Sequence, residues 1–250
     1  MLPHLYDSQL IQTLINNAIT SGSSLLSLPS GNYSFTSPLM ISNARSLTIK
    51  GNITLVLFDP RTTASSYITI TSSTNVTLSN IFIDCYPLPF TQGLVTSVAT
   101  NSINVQIHTG YSTNATQFSA GSYLHVFNTS LSQYKQEASP VYGISGSSSI
   151  SGGLSLSIYT VSYYNIQVGD TVSITQPSFI CAIQQYNSVL TSLTNLTIYT
   201  SAGCGVLEGA GGGTVIDNVQ IRRGSTPNGA TQPRLMSTIR DGFHLQVNIC

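Results

Sequence analysis

Carboxyl groups are scarce in this sequence, and scarcity makes each one informative. Eight occur in 250 residues: Asp7, Asp59, Asp84, Asp170, Asp217, Asp241, Glu137 and Glu208. Two carboxyls facing each other across a bond can hydrolyse a glycosidic linkage by acid and base catalysis. That needs a separation of about 5 to 5.5 Å for retention and about 6.5 to 9.5 Å for inversion. Asp241 is followed closely by His244 and preceded by Arg240 and Arg234, guanidinium groups able to pair with a carboxylate or donate to a sugar hydroxyl. Glu208 stands before the run Gly209-Ala210-Gly211-Gly212-Gly213, which follows neither the dinucleotide nor the Walker spacing, so no nucleotide cofactor is expected. His4, His108 and His125 lack the grouping of a metal site. Calcium would need several acidic oxygens in one place, so no metal is expected either.

The elements that must position these groups announce themselves by repetition. Asn195-Leu196-Thr197-Ile198 is followed 23 residues on by Asn218-Val219-Gln220-Ile221, and 23 further on by Asp241-Gly242-Phe243-His244. Each of the first two is a short strand alternating apolar and polar residues, unable to bury its apolar side alone. A recurrence at this interval predicts a solenoid whose coils cover one another. The leucine ladder of leucine-rich repeats is missing and β-branched residues replace it, so a parallel β-helix is the better match. Coils about 4.8 Å apart bring carboxylates on neighbouring turns near the retaining distance and on alternate turns near the inverting one. In this register Asp241 continues a column of Asn195 and Asn218, and Arg240 stacks over Asp217. Asp241 and His244 then line a cleft, or Asp241 caps the turn before Gly242 and His244 is an ordinary strand residue. Asp84 ends a strand before Cys85-Tyr86-Pro87-Leu88-Pro89-Phe90, where Tyr86 and Phe90 either offer an aromatic platform to a sugar or fill the base of the turn.

Along the chain, residues 7–20 place Leu10, Ile11, Leu14, Ile15, Ala18 and Ile19 on one helical stripe, with Asp7 or Ser8 as cap. Residues 1–24 are thus expected to cap the first coil. Coils follow over 25–108, where RSLTI at 45–49, TNVTL at 74–78 and INVQI at 103–107 recur at 29 residues. The period fails over 109–176, which read as an insertion with its own small antiparallel β structure, and coils resume over 177–250. No polar or helical cap follows the last phrase, so either the chain continues in the intact protein or that open coil is covered by a partner, self-association included.

Composition narrows the function. Only 6% of residues are charged, against roughly 25% in ordinary globular domains, and 41% are hydrophobic. Eight basic residues balance eight acidic ones, scattered rather than clustered, which removes nucleic acid as a partner. No apolar run approaches the roughly 20 residues of a membrane helix. Asn-x-Ser/Thr sequons start at Asn32, Asn52, Asn75, Asn114, Asn128 and Asn195. The first residues do not read as a secretory leader, but the hydroxyl-rich composition reads as secreted and extracellular. Cys181 and Cys204 are 23 residues apart, so stacked coils can bring them together, and four buried free thiols are the alternative.

Two levels of resemblance follow. The opening helix with LLSLPSGNYSF at 25–35 resembles the start of right-handed parallel β-helix proteins of the pectin-lyase type. IDCYPLPFTQG at 83–93, IYTSAGCGVLEGAGGG at 198–213 and RRGSTPNGATQPRLMSTIRDGFH at 222–244 are similar to secreted proteins related to exo-acting α-1,3-galactosidases. The resemblance implies an all-β fold: a right-handed parallel β-helix with an N-terminal capping helix and a small inserted antiparallel β-barrel at 109–176. It implies an oligo- or polysaccharide partner and hydrolysis of terminal galactose, and Glu208 recurs in it; on the reading of the residues above, Asp241 and Glu208 are then catalytic and His244, Arg240, Arg234, Asp84 and Tyr86 contact substrate. Such relatives carry further coils and an Asp-Asp pair that this sequence lacks. The chain therefore looks like an N-terminal part, with at least one catalytic carboxylate expected beyond residue 250. The rival classes are a non-catalytic carbohydrate-binding or surface module and a polysaccharide lyase, since fold does not fix function.

Overall fold

Two-residue alternation turns most of this chain into strands, and the spacing of the phrases decides which strands meet. A computed structural model of the protein describes residues 8–58, 66–127, 135, 143–159, 165–175, 180–237 and 242–245. Asp7, Asp59, Asn128, Glu137, Arg240 and Asp241, all singled out above, lie outside the described residues. Among the described residues there is one α-helix, α1 (Ser8–Thr20). It is followed by β1 (Leu25–Ser27), β2 (Gly31–Phe35), β3 (Leu39–Ser42), β4 (Thr48–Phe58), β5 (Ser66–Thr71) and β6 (Thr77–Tyr86). Next come β7 (Phe90–Val98), β8 (Ser102–Ile107), β9 (Tyr123–Phe127), β10 (Ile144–Ile150), β11 (Gly153–Ile158) and β12 (Thr171–Thr175). The remainder holds β13 (Cys181–Tyr186), β14 (Ser188–Val189), β15 (Ser192–Ile198), β16 (Val206–Glu208), β17 (Gly211–Gly212), β18 (Val215–Asp217), β19 (Gln220–Ile221) and β20 (Phe243–Leu245).

The chain divides into two compact units. The first comprises Met1–Pro87, Ser178–Gly224 and Ser237–Cys250. Among the described residues its strands pair in parallel, in two long ladders, β1-β4-β6-β15-β18 with β2 and β19 attached, and β20-β16-β13-β5-β3, with β14 and β17 forming a short third one. Successive coils therefore stack, as in a solenoid. Thr48 lies opposite Thr77 and Ser192 opposite Val215, so the 29- and 23-residue intervals are the lengths of single coils. The same interval brings Cys181 and Cys204 together in a disulfide, their Cα atoms 4.5 Å apart. Inward positions are apolar: Ile49, Leu78, Leu193, Ile53, Ile81, Leu196, Ile41, Ile70 and Ile183 form one buried column. Helix α1 lies against β1, β2 and β3 and adds Ile11, Ile15 and Ala18 to that column. Its Gln12 also pairs with the β3 edge: Nε2 donates to the Met40 carbonyl at 2.9 Å and Oε1 accepts from Met40 N–H at 2.8 Å. An edge that would otherwise template another strand is thereby occupied.

The second unit, Leu88–Pro177 with Ser225–Met236, is a curled antiparallel sheet in the order β10-β11-β8-β7-β12-β9. Phe90, Val105, Phe118, Val126, Leu156, Val172 and Ile174 fill its core. The opposite side of β12 is polar yet also buried, with Ser173 between Gln92 and His125 in register. Gln92 anchors the 225–236 segment there, Nε2 donating to the Pro233 carbonyl at 2.8 Å while Oε1 accepts from Leu235 N–H at 2.9 Å.

Two expectations need correction. The strands at 94–98 and 105–107, read as coils, are β7 and β8 of the antiparallel sheet, and this unit begins at Leu88 rather than at 109. INVQI has the alternation of a coil phrase, but alternation by two is common to every half-buried strand and does not set its partner. The column of Asn195 and Asn218 is not extended by the Asp241 phrase, because Phe243–Leu245 pair with Val206–Glu208 in the other ladder. The 23-residue count fails there because residues 225–236 leave the coil and join the second unit. Of the two readings left open for Phe90, the buried one holds: it is 1% exposed in the core of the antiparallel sheet, 6.5 Å from Tyr111.

Candidate functional site

Two surfaces of the solenoid unit carry side chains able to do chemistry. The first is the ladder of β13, β16 and β20. Gln184, Leu207 and His244 occupy one row, and Gln185, Glu208 and Leu245 the next. Glu208 is half-buried, its Oε1 accepting from the Thr214 hydroxyl at 2.9 Å and from Gln185 Nε2 at 3.5 Å. Thr214 also donates to Gln185 Oε1 at 3.0 Å. The carboxylate is thus held in one orientation by a threonine and a glutamine.

The glycines around it have steric causes. A side chain at Gly211 would meet the Ser188 carbonyl at 2.1 Å, and one at Gly209 the Tyr186 ring at 2.7 Å. At Gly205 it would meet the Gly242 carbonyl at 2.5 Å, the acceptor of the Val206 N–H bond at 3.0 Å. The stretches 198–213 and 222–244 are therefore joined by a backbone hydrogen bond at a point where an added side chain would clash.

The second surface is the bend between the two halves of each long strand. Asn80, Asn195 and Asn218 take φ values of 58°, 53° and 50° there, a left-handed conformation that asparagine tolerates better than other side chains. All three are exposed, and Asn218 Nδ2 donates to Asn195 Oδ1 at 2.7 Å. In the earlier coils the bend lengthens. One residue separates Ser79 from Ile81, two separate Lys50 from Ile53, and three separate Ser27 from Gly31. A groove of about 570 Å³ results, lined by Ser27, Lys50, Gly51, Asn52, Asn80, Phe82, Asn195 and Asn218. Phe82 stacks on Tyr199 with ring centroids 6.0 Å apart and planes 9° apart, and the Arg222 guanidinium lies 5.6 Å over the Tyr199 ring.

Of the residues singled out for substrate contact, Asp84 and Tyr86 are on this same half of β6, alternating outward with Phe82 while Ile81, Ile83 and Cys85 point into the core. Asp84 Oδ1 accepts from Cys85 N–H at 2.9 Å, and Tyr86 is 59% exposed. Arg234 belongs to the other unit, where it is buried. There it opposes the burial that pushes the Tyr111 hydroxyl up to about 12. Sequence reasoning recognised the Asn195 and Asn218 column but missed the groove that Lys50, Asn52 and Phe82 build around it. The available signal was the recurrence of asparagine, a residue suited to sharp bends, before an apolar-polar-apolar triplet.

Among the described residues no group of three or more His, Cys, Asp or Glu side chains could hold a metal ion, and no helix is long and apolar enough to cross a membrane. No protein-family model matches the chain, and no curated protein matches its sequence.

Proposed function

We propose that the chain is part of a secreted, carbohydrate-active right-handed parallel β-helix protein of the pectin-lyase type. Its activity is exo-acting hydrolysis of galactose-terminated glycans. The observation that supports this reading most is the parallel pairing of β16 with β20, since it brings the strand following Asp241 beside the strand bearing Glu208. Both stretches then belong to one lateral surface of the coil. Thr214 and Gln185 orient the Glu208 carboxylate, as an acid or base needs to be oriented before it can transfer a proton. In this reading Asp241 and Glu208 line the cleft, and His244 and Arg240 bind substrate. The disulfide fits an oxidising, extracellular setting.

The test is release of galactose from α-galactosyl-terminated oligosaccharides by the intact protein and by Asp241→Asn and Glu208→Gln variants. A drop of about a hundredfold or more is expected for each. Equal rates in parent and variants would remove both residues from the chemistry.

A second reading, a non-catalytic glycan-binding module, is favoured by the exposed asparagine column and its flanking aromatic residue. It predicts glycan binding without any release of sugar.

A further inference from the structure

We infer that the bend groove is a glycan-binding site separate from the β16–β20 surface, and that its ligand is a neutral, extended polysaccharide chain lying along the column of coils. It stands whether or not the hydrolytic reading does, because it uses different residues. A carboxamide carries two donors and an oxygen with two lone pairs. The bond from Asn218 to Asn195, with a long 3.4 Å contact from Gln220 Nε2 to Asn218 Oδ1, leaves most of that capacity facing solvent. Sugar hydroxyls both donate and accept, so a row of exposed carboxamides matches them without demanding a charge.

Charge and shape narrow the class. Lys50 is the one charged residue among those lining the groove, too little to select an acidic polymer. The apolar lining is limited to Leu28, which is buried, and Phe82, so an apolar peptide would find no series of pockets. Phe82 is ordered in advance by the stack on Tyr199 and Arg222, which lowers the entropic cost of using it as a platform.

Periodicity then sets the direction of the chain. Bend residues repeat at the strand spacing, about 4.8 Å. An extended β-linked chain advances by about that length per ring, so successive rings meet successive coils. The lengthening of the bend toward β1 and β2 widens the groove at that end, where a chain end or side branch has room. Asn52 and Asn195 both begin sequons, and a glycan attached at either would occupy the groove itself.

The experiment uses the full chain, secreted into a bacterial periplasm so that the disulfide forms and the sequons stay bare. Titration calorimetry with cello-oligosaccharides of two to six rings is expected to show affinity rising with length. The double variant Asn195→Gly/Asn218→Gly keeps the positive φ and removes the carboxamides, and should bind the longest oligomer about tenfold more weakly, as should Phe82→Ala. Asn75→Gly, at an exposed positive-φ corner outside the groove, should bind unchanged and controls for folding. Affinity independent of length, groove variants that bind like the parent, or no binding by a folded parent would each overturn the inference. Galactose release is measured on the same preparations. A parent that binds the oligomers but releases no galactose sinks the hydrolytic reading and leaves the groove standing, and one that releases galactose without binding them does the converse.

Discussion

Asn218 donates a 2.7 Å hydrogen bond to Asn195, its counterpart 23 residues earlier, and both are in the left-handed region with φ of 50° and 53°. One residue type thus serves the backbone and the ladder together. At another corner the column Ser46, Asn75, Leu190 and Gly213 also has positive φ throughout, but Leu190, 57% exposed, is a poor choice for it. Replacing Leu190 with Asn is expected to stabilise the protein by about 1 kcal/mol by relieving that backbone cost. Asn195→Ala should destabilise it by ~1 to 2 kcal/mol. Urea midpoints of the two variants measure both effects, and opposite signs are the expected result.

The coil lengths were legible because one phrase repeats at 29 and then 23 residues, and parallel register preserves that count: Asn75 reaches Ser46 across the first interval and Asn218 reaches Asn195 across the second. The groove was not legible, because its members meet only across coils and through the unequal length of the bend. Nor was the fate of INVQI, whose alternation suits an antiparallel hairpin as well as a coil. The strand Phe243–Leu245 was assigned to the wrong ladder by counting through residues 225–236, whose contacts with Gln92 and Tyr111 belong to the other unit and leave no trace in periodicity.

The Cys181–Cys204 disulfide closes a loop of one coil, with a separation of 23 residues. By loop entropy, a crosslink over that length stabilises the fold by about 3 kcal/mol. The Cys181→Ala/Cys204→Ala variant should lose roughly that much in chemical denaturation, with Cys85 left in place as a buried thiol. A loss below about 1 kcal/mol would mean that stacking alone already restrains these coils in the unfolded ensemble.

His125 is buried beside Thr175, 3.3 Å from its hydroxyl, and burial pulls its pKa from 6.5 down to about 4. The unfolded chain takes up this proton near pH 6.5 and the folded chain only near pH 4. The unfolded state therefore binds more protons between those values, and stability falls as pH drops through that window. The full contribution is about 3 kcal/mol and is reached below pH 4. His125→Gln should flatten the dependence between pH 4 and 6.5 in denaturation curves, whatever it does to stability at pH 7. A profile as steep as the parent's would assign the acid sensitivity to other groups.

Gly205 tests the link between the two stretches on which the hydrolytic reading depends. Its α-carbon faces the Gly242 carbonyl so closely that an added Cβ would stand 2.5 Å from that oxygen and 2.6 Å from the Ile221 side chain. One neighbour is backbone and cannot yield without shifting β20 from β16, so Gly205→Ala is expected to cost ~1 to 3 kcal/mol. The Val206 amide, which donates to the Gly242 carbonyl at 3.0 Å, should lose its protection from hydrogen exchange. Glu208→Gln should keep that protection, since Thr214 and Gln185 can still reach its side-chain oxygen. If galactose release falls in both variants while exchange at Val206 changes only in Gly205→Ala, the two losses have separate causes. One removes the strand that carries the Asp241 phrase, and the other removes the carboxylate opposite it.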